Sequence, residues 1–124
     1  MEKKYFKLED INSYRIASAL SDDVWNIVSK WDWFNKSSLG IQFVKSIDSI
    51  AGNIAEGFGR YHKKDKIKFY YNARASASEA EHWCKKAFKR GLITLEENDH
   101  IAGELGKLPK EINTLIKLTG NLEK

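Results

Sequence analysis

Apolar residues recur along this chain at steps of three and four, and nowhere do they alternate with polar residues over the length of a strand. Four such segments are separated by short turn-like stretches, a pattern that predicts an all-helical protein. The first, from about Asp10 to Trp31, sets Ile16, Leu20, Val24, Ile27, Val28 and Trp31 on one stripe. Asp32-Trp33-Phe34-Asn35-Lys36 interrupts the pattern. Ser37 or Ser38 is the expected N-cap of the second helix, whose core face is Leu39, Phe43, Ile47, Ile50 and Ile54, and Gly57 and Gly59 are expected to end it. The third runs from Lys63 or Lys64 to Lys89, a rod of about 39 Å at ~1.5 Å per residue. Its inner seam is small (Ala73, Ala77, Ala80, Cys84, Ala87), with Phe69 and Trp83 beside it, and small side chains admit a close neighbour, so this helix is expected at the centre of the packing. Gly91 closes it. Thr94 with Glu97 three residues on reads as a capping box for the fourth helix, which carries Ile101, Leu105, Leu108, Ile112, Leu115, Ile116 and Leu118. Pro109 removes a backbone donor inside this run and predicts a kink or short break between Gly106 and Pro109. Short turns between long helices favour antiparallel neighbours, so the expected fold is all-α: an antiparallel up-down four-helix bundle, one domain over residues 1–124.

Two further stripes exceed what a bare bundle needs. Gln42, Ser46, Ser49, Asn53, Glu56 and Arg60 follow one another at steps of four and three along the second helix, all polar. Their short side chains suit a hydrogen-bonded seam against another helix better than open water, with a solvated face and a functional site as the alternatives. On the first helix, Tyr14, Ser18, Ser21 and Trp25 form a line away from the core stripe. Large aromatics outside a core are commoner in interfaces, so Tyr14 and Trp25 point to self-association.

Charge sharpens the picture. The 124 residues carry a net charge of +4, yet the stretch from Arg60 to Arg90 holds ten Lys/Arg against three acids, a surplus of seven. Such a segment suits a polyanion partner and also suits a plain soluble helix face. At 42% hydrophobic and 31% charged residues, with one proline and eight glycines, collagen-like, low-complexity and disordered classes are excluded. No apolar run reaches the ~20 residues of a membrane span, and Met1-Glu2-Lys3-Lys4-Tyr5 lacks the features of a secretory signal. With a lone cysteine, Cys84, the expected location is the cytoplasm and no membrane partner is expected.

Catalytic chemistry finds little footing. Glu79-x-x-His82 and Glu97-x-x-His100 have the spacing used by di-iron bundles, but a hairpin turn at Gly91 to Ile93 puts the two glutamates about 13 Å apart along the axis, at ~1.5 Å per residue. No metal, cofactor or catalytic residue is expected. Cys84 falls on the small apolar seam and is expected to pack there. Gly57-Phe58-Gly59 lacks the lysine-serine ending and preceding strand of a phosphate loop.

The segment Ser49-Ile-Ala-Gly-Asn-Ile-Ala-Glu-Gly-Phe-Gly-Arg60, followed by Phe69 and by Ala73-Arg-Ala-Ser-Ala-Ser-Glu79, resembles the 23S rRNA intervening-sequence protein family, also called four helix bundle proteins. Asn53-Ile-Ala-Glu-Gly57 is the most specific block, and similarity in order and spacing extends from Leu8 to Leu122. Where the family has Gly-Ser-Leu this chain has Ala75-Ser76-Ala77, and in place of a Phe-Pro turn it has Asp32-Trp33-Phe34-Asn35. The resemblance implies a four-helix bundle assembled as a ring-like homopentamer, with Ser49, Asn53, Glu56, Ser76 and Glu79 in structural or interface roles. It also implies kinship with the accessory proteins of diversity-generating retroelements, which form basic pentamers and engage a reverse transcriptase and its RNA.

Arg60, Lys63, Lys64, Lys66 and Lys68, with Tyr61 and His62, place phosphate-pairing cations beside groups that stack on unpaired bases. The expected function is therefore a non-enzymatic oligomeric scaffold that binds structured RNA, or a nucleic-acid-handling protein such as a reverse transcriptase, through this basic face. A protein assembly module with no nucleic-acid role is the alternative.

Overall fold

Helix periodicity, caps and turn residues resolve in the computed structural model, which describes residues 7–122, into four long helices: α1 (Asn12–Val28), α2 (Ile41–Gly59), α3 (Lys63–Lys89) and α4 (Leu95–Gly120). No strand occurs among the described residues. Every helix packs against its neighbours in sequence, and α1 against α4 closes the set. Ser21 Oγ donates to Asp48 Oδ1 between α1 and α2, Arg74 to Asn113 between α3 and α4, and His100 Nε2 lies 2.8 Å from Asp23 Oδ2 between α4 and α1.

Most of the core is the set the spacing selects, while Ile16, Ile27, Trp31 and Ile116 of the expected stripes are only half-buried and pack against it. Leu20, Val24 and Val28 of α1, Phe43, Ile47, Ile50 and Ile54 of α2, and Ile101, Leu105, Leu108 and Ile112 of α4 are buried around the seam of Ala73, Ala77, Ala80, Cys84 and Ala87 on α3. Leu118 departs from the pattern and is exposed. The largest side chain in the described core stands outside the apolar steps: Tyr70, buried on α3 against α2.

Two local expectations change. The helical path to α2 begins at Trp33, capped by Asp32 rather than by Ser37 or Ser38. Asp32 Oδ1 accepts from Asn35 N–H at 3.1 Å and Oδ2 from Asn35 Nδ2 at 2.8 Å, which holds the carboxyl below its ordinary range. From there a wide π turn, Lys36–Gly40, leads into α2. Ser37 and Ser38 turn their hydroxyls back onto the carbonyls of Trp33 and Phe34 instead. Gly40 lets this turn approach α1, because a Cβ there would lie 2.8 Å from Val28 Cγ1.

The second change concerns Pro109. α4 is helical without interruption from Leu95 to Gly120, so no break occurs. Pro109 is exposed and costs the helix one hydrogen bond, while Leu105, Leu108 and Ile112 are buried on both sides of it and hold the path. At the other end, the Thr94 capping box forms as expected: Glu97 N–H donates to Thr94 Oγ1 at 3.0 Å and Thr94 N–H to Glu97 Oε1 at 2.9 Å.

Candidate nucleic-acid interface

The basic run occupies the turn from α2 into α3 and the first turns of α3, beside the C-terminus of α4. Helix C-termini leave carbonyls without amide partners and carry partial negative charge. Two of the five candidate cations answer that need. Lys66 Nζ donates to the Phe58 carbonyl at the end of α2, at 2.7 Å, and Lys63 Nζ to the Gly120 carbonyl at the end of α4, at 3.1 Å. Burial holds the Lys66 ammonium below its ordinary range, and its charge also lies 5.5 Å from the centre of the Phe58 ring. Arg60 is committed as well: Nη2 and Nε lie 2.8 and 3.0 Å from Glu56 Oε2, and the guanidinium sits 4.7 Å from the Phe69 ring centre.

Lys64 and Lys68 remain, both exposed and one helical turn apart. Lys68 Nζ lies 5.7 Å from the Phe69 ring centre, and Lys64 has no partner among the described residues. Next to them Tyr61 is 81% exposed and meets the His62 ring edge-on, with centroids 4.9 Å apart. His62 is the N-cap residue of α3 but its side chain caps no amide, so the first amides of the helix add partial positive charge to this corner, opposed by Asp65 in the same turn. The arrangement can hold a phosphate and stack an unpaired base.

The polar stripe of α2 is paired, but within its own helix. Ser46 Oγ donates to the Phe43 carbonyl at 2.9 Å, Ser49 Oγ to Lys45 at 2.7 Å and Asn53 Nδ2 to Ser49 at 2.8 Å. Only Ser46 is fully buried, Ser49 and Asn53 are half-buried, and Glu56 is exposed in its pair with Arg60. A seam of bonds to another helix is therefore replaced by short side chains folding back on the preceding turn, which satisfies them locally. On α3, Ser76 is half-buried and exposed Glu79 accepts from Trp83 Nε1 at 3.1 Å.

Aromatics gather where α1 ends and α2 begins. Trp25, 60% exposed, lines a groove of about 380 Å³ with Val28, Gly40, Ile41 and Val44, rimmed by Lys36 and Lys45. Trp33 and Phe34, 78% and 69% exposed, extend the apolar surface of the same turn. Tyr14, at the other end of α1, is half-buried and packs on the core.

The groups with catalytic potential have structural partners. His100 pairs with Asp23, His82 lies edge-on to Trp83 at 4.7 Å, and Glu97 caps α4. Cys84 is buried with its thiol pushed up to about 11 by burial and by the Glu81 charge. Among the described residues, no group of three His, Cys, Asp or Glu could hold a metal ion, and no helix is long and apolar enough to cross a membrane.

One feature of this surface escapes a reading of the basic run. Tyr71, Lys110, Asn113, Thr114, Ile116 and Lys117 line a cleft of about 570 Å³ between α3 and α4. The available signal was the pair of lysines seven residues apart on α4, but nothing in their spacing tells which helix faces them.

The fold has a solved counterpart. A crystal structure of a protein of unknown function from the S23 ribosomal protein family of Bacteroides thetaiotaomicron VPI-5482 superposes with a TM-score of 0.74 at 21% identity, over 85% of this chain and 98% of that one. No curated protein matches the chain. Residues 9–114 match the model of the family described as 23S rRNA-intervening sequence protein, which takes in the Asn53–Gly57 block and all but the end of α4, and the chain belongs to that family.

Proposed function

We propose that this protein is a non-enzymatic helical scaffold, assembled as a homo-oligomer, that binds structured RNA through the corner formed by Tyr61, His62, Lys64 and Lys68. The observation that carries the reading is the division of labour among the lysines. Lys63 and Lys66 serve helix ends, whereas Lys64 and Lys68 project to solvent beside an aromatic ring that is 81% exposed. A fold that needed these cations only for its own helix ends would be complete with the first two. Burial of Cys84 and the pairing of His100 support a role without catalysis. Between α3 and α4 the contacts run Lys63 to Gly120, Arg74 to Asn113 and Cys84 to Asn98, and between α1 and the start of α2 Ser21 to Asp48 and Val28 to Gly40, which supports the up-down antiparallel topology; a ring of five copies would multiply a weak patch into useful avidity. Kinship with retroelement accessory proteins and a reverse-transcriptase-like client is part of this proposal and rests on the resemblance of the Ser49–Arg60 segment together with the basic corner. A free, buried Cys84 suits a reducing compartment, and the cytoplasm is the proposed location.

Fluorescence anisotropy with a labelled structured RNA at about 50 and 200 mM salt tests this reading, because each phosphate contact contributes ~0.9 to the log-log salt slope on a duplex. The double reversal Lys64→Glu, Lys68→Glu is expected to abolish binding with the helix content unchanged. Equal binding by the double reversal, or none by the intact protein at the lower salt, overturns it.

A second reading, a protein assembly module without nucleic acid, is favoured by the aromatic surface around Trp25. Capture of a protein client by a chain that ignores RNA would establish it.

A further inference from the structure

The α3/α4 cleft joins residues that are far apart in sequence. Tyr71 is 47% exposed and contributes a ring face, and the Arg74 guanidinium lies 4.8 Å from its centre. Arg74 is in turn fixed by its bond to Asn113 on α4. That bond holds the guanidinium over the ring, and Tyr71 itself lines the cleft. Lys110 and Lys117 are exposed on the α4 side of the cleft, two turns apart, about 10.5 Å along the axis at ~1.5 Å per residue. No carboxylate lines the cleft among the described residues. Glu111, the acid next to Lys110 in sequence, lines a separate groove with Ser13 and Leu118 instead.

The cleft also shares a helix face with the basic corner. Lys64, Lys68 and Tyr71 follow one another on α3 at steps of four and three, so they share one face of the helix. Cations therefore flank Tyr71 on both sides: Lys64 and Lys68 towards the start of α3, Lys110 and Lys117 across the cleft on α4. A single row of lysines would suit any polyanion. Two rows with an aromatic face between them suit a strand whose phosphates run past the lysines while a base leaves the strand to stack, a geometry open to single-stranded nucleic acid and closed to a duplex, whose bases are already stacked.

We propose that this cleft is a binding site for single-stranded RNA, in which Tyr71 stacks an unpaired base and Lys110 and Lys117 contact the flanking phosphates. The site rests on the nucleic-acid reading above and specifies which part of a structured RNA it takes: a loop or an unpaired end.

The test uses the full chain, a fluorescein-labelled oligouridylate of about twelve nucleotides, a hairpin RNA and a blunt duplex, all at about 50 mM salt. Tyr71→Ala is expected to weaken binding of the oligouridylate about tenfold or more, and Tyr71→Phe, which keeps the ring, to bind like the parent. Lys110→Gln with Lys117→Gln should lower the log-log salt slope by about 1.4, at ~0.7 per phosphate on a single strand. Circular dichroism identifies any variant that fails to fold, and the salt slope of the double lysine variant keeps the test decisive if Tyr71→Ala is one. Preference for the blunt duplex, or unchanged binding by Tyr71→Ala and by the double lysine variant, overturns the cleft. If those variants bind normally while reversal of Lys64 and Lys68 abolishes binding of the hairpin, the cleft fails and the basic corner stands. If oligouridylate binding needs Tyr71 and survives reversal of Lys64 and Lys68, the cleft stands and the corner fails.

Discussion

Gly57 lies directly against the ring of Tyr70: a Cβ at position 57 would stand 2.7 Å from Tyr70 Cε1 and 3.0 Å from Cδ1. The Lys66 carbonyl is equally close, at 3.0 Å. This contact explains the glycine in the Asn53–Gly57 block. It is no helix terminator, since α2 runs on to Gly59; it is a point of close approach between α2 and α3, where the phenol is received into the core. Three residues further on, the same α2 end presents Arg60 to Phe69, so the packing that seats Tyr70 also sets the position of the basic corner.

Gly57→Ala is therefore expected to destabilise the fold by about 1 to 3 kcal/mol, because neither the buried ring nor the backbone carbonyl can give way cheaply. Gly52, on the same helix, has nothing within 4 Å of a built Cβ. Gly52→Ala should instead stabilise by about 0.5 to 1 kcal/mol through helix propensity. Urea unfolding of the two variants checks both signs, and equal effects would show that the close approach does not exist.

Tyr70 carries a pH dependence with a definite sign. Burial pushes its phenol from 10.0 up to about 12, opposed in part by a hydrogen bond with Thr119. Between these values the unfolded chain releases the proton and the folded one keeps it, so stability is fully present below pH 10 and is lost as pH rises towards 12. The loss from this group amounts to about 2 to 3 kcal/mol. Lys66, held below its ordinary 10.5 by burial, gives the opposite slope, with stability rising as pH climbs to that value. Comparing the parent with Tyr70→Phe isolates the tyrosine: the difference in unfolding free energy should be flat at neutral pH and should shift against the parent above pH 10.

Much of this was legible in the sequence, for reasons visible in individual residues. Ile47, Ile50, Ile54 and Ala73, Ala77, Ala80 and Ala87 of α3 are buried because their spacing leaves them no other face, and Thr94 and Glu97 cap α4 through contacts only three residues long. Local bonds are readable because their partners are local. Tyr70 was not readable as core, since a tyrosine at that register serves equally well on a surface and only the absent Cβ of Gly57 makes room for it. Lys63 and Lys66 read as phosphate contacts because charge shows in sequence and the carbonyl waiting at a distant helix end does not. The cleft at Tyr71 fails for the same reason: Lys110 and Lys117 meet it only through the packing of α4 on α3.

Cys84 should be inert in the native protein. Its thiol is pushed from 9.0 up to about 11 and it is buried, so the reactive thiolate is depleted about a hundredfold before access is counted. Reaction with a disulfide reagent at pH 8 is expected to be at least that much slower than in denaturant. A native rate close to the denatured one would place Cys84 at the surface.

Assembly is the last expectation, and the exposed aromatics state where it should act. Trp25, 60% exposed, lines a groove of about 380 Å³, Trp33 and Phe34 are 78% and 69% exposed on the turn that follows α1, and tryptophans dominate interface energies once buried there. Leaving them in water costs a monomer solubility and gives the fold nothing, since none fills the core. Light scattering in physiological buffer should report a multiple of 14.3 kDa, with five copies expected, and Trp25→Glu should shift the mass to one copy without lowering helix content. The charge does not disturb the core because Trp25 lies outside it, so loss of assembly with an intact circular dichroism spectrum locates the interface at this groove. A parent protein that scatters as a strict monomer removes the oligomer from the proposed function. A Trp25→Glu variant that keeps the parent's mass moves the interface to another face.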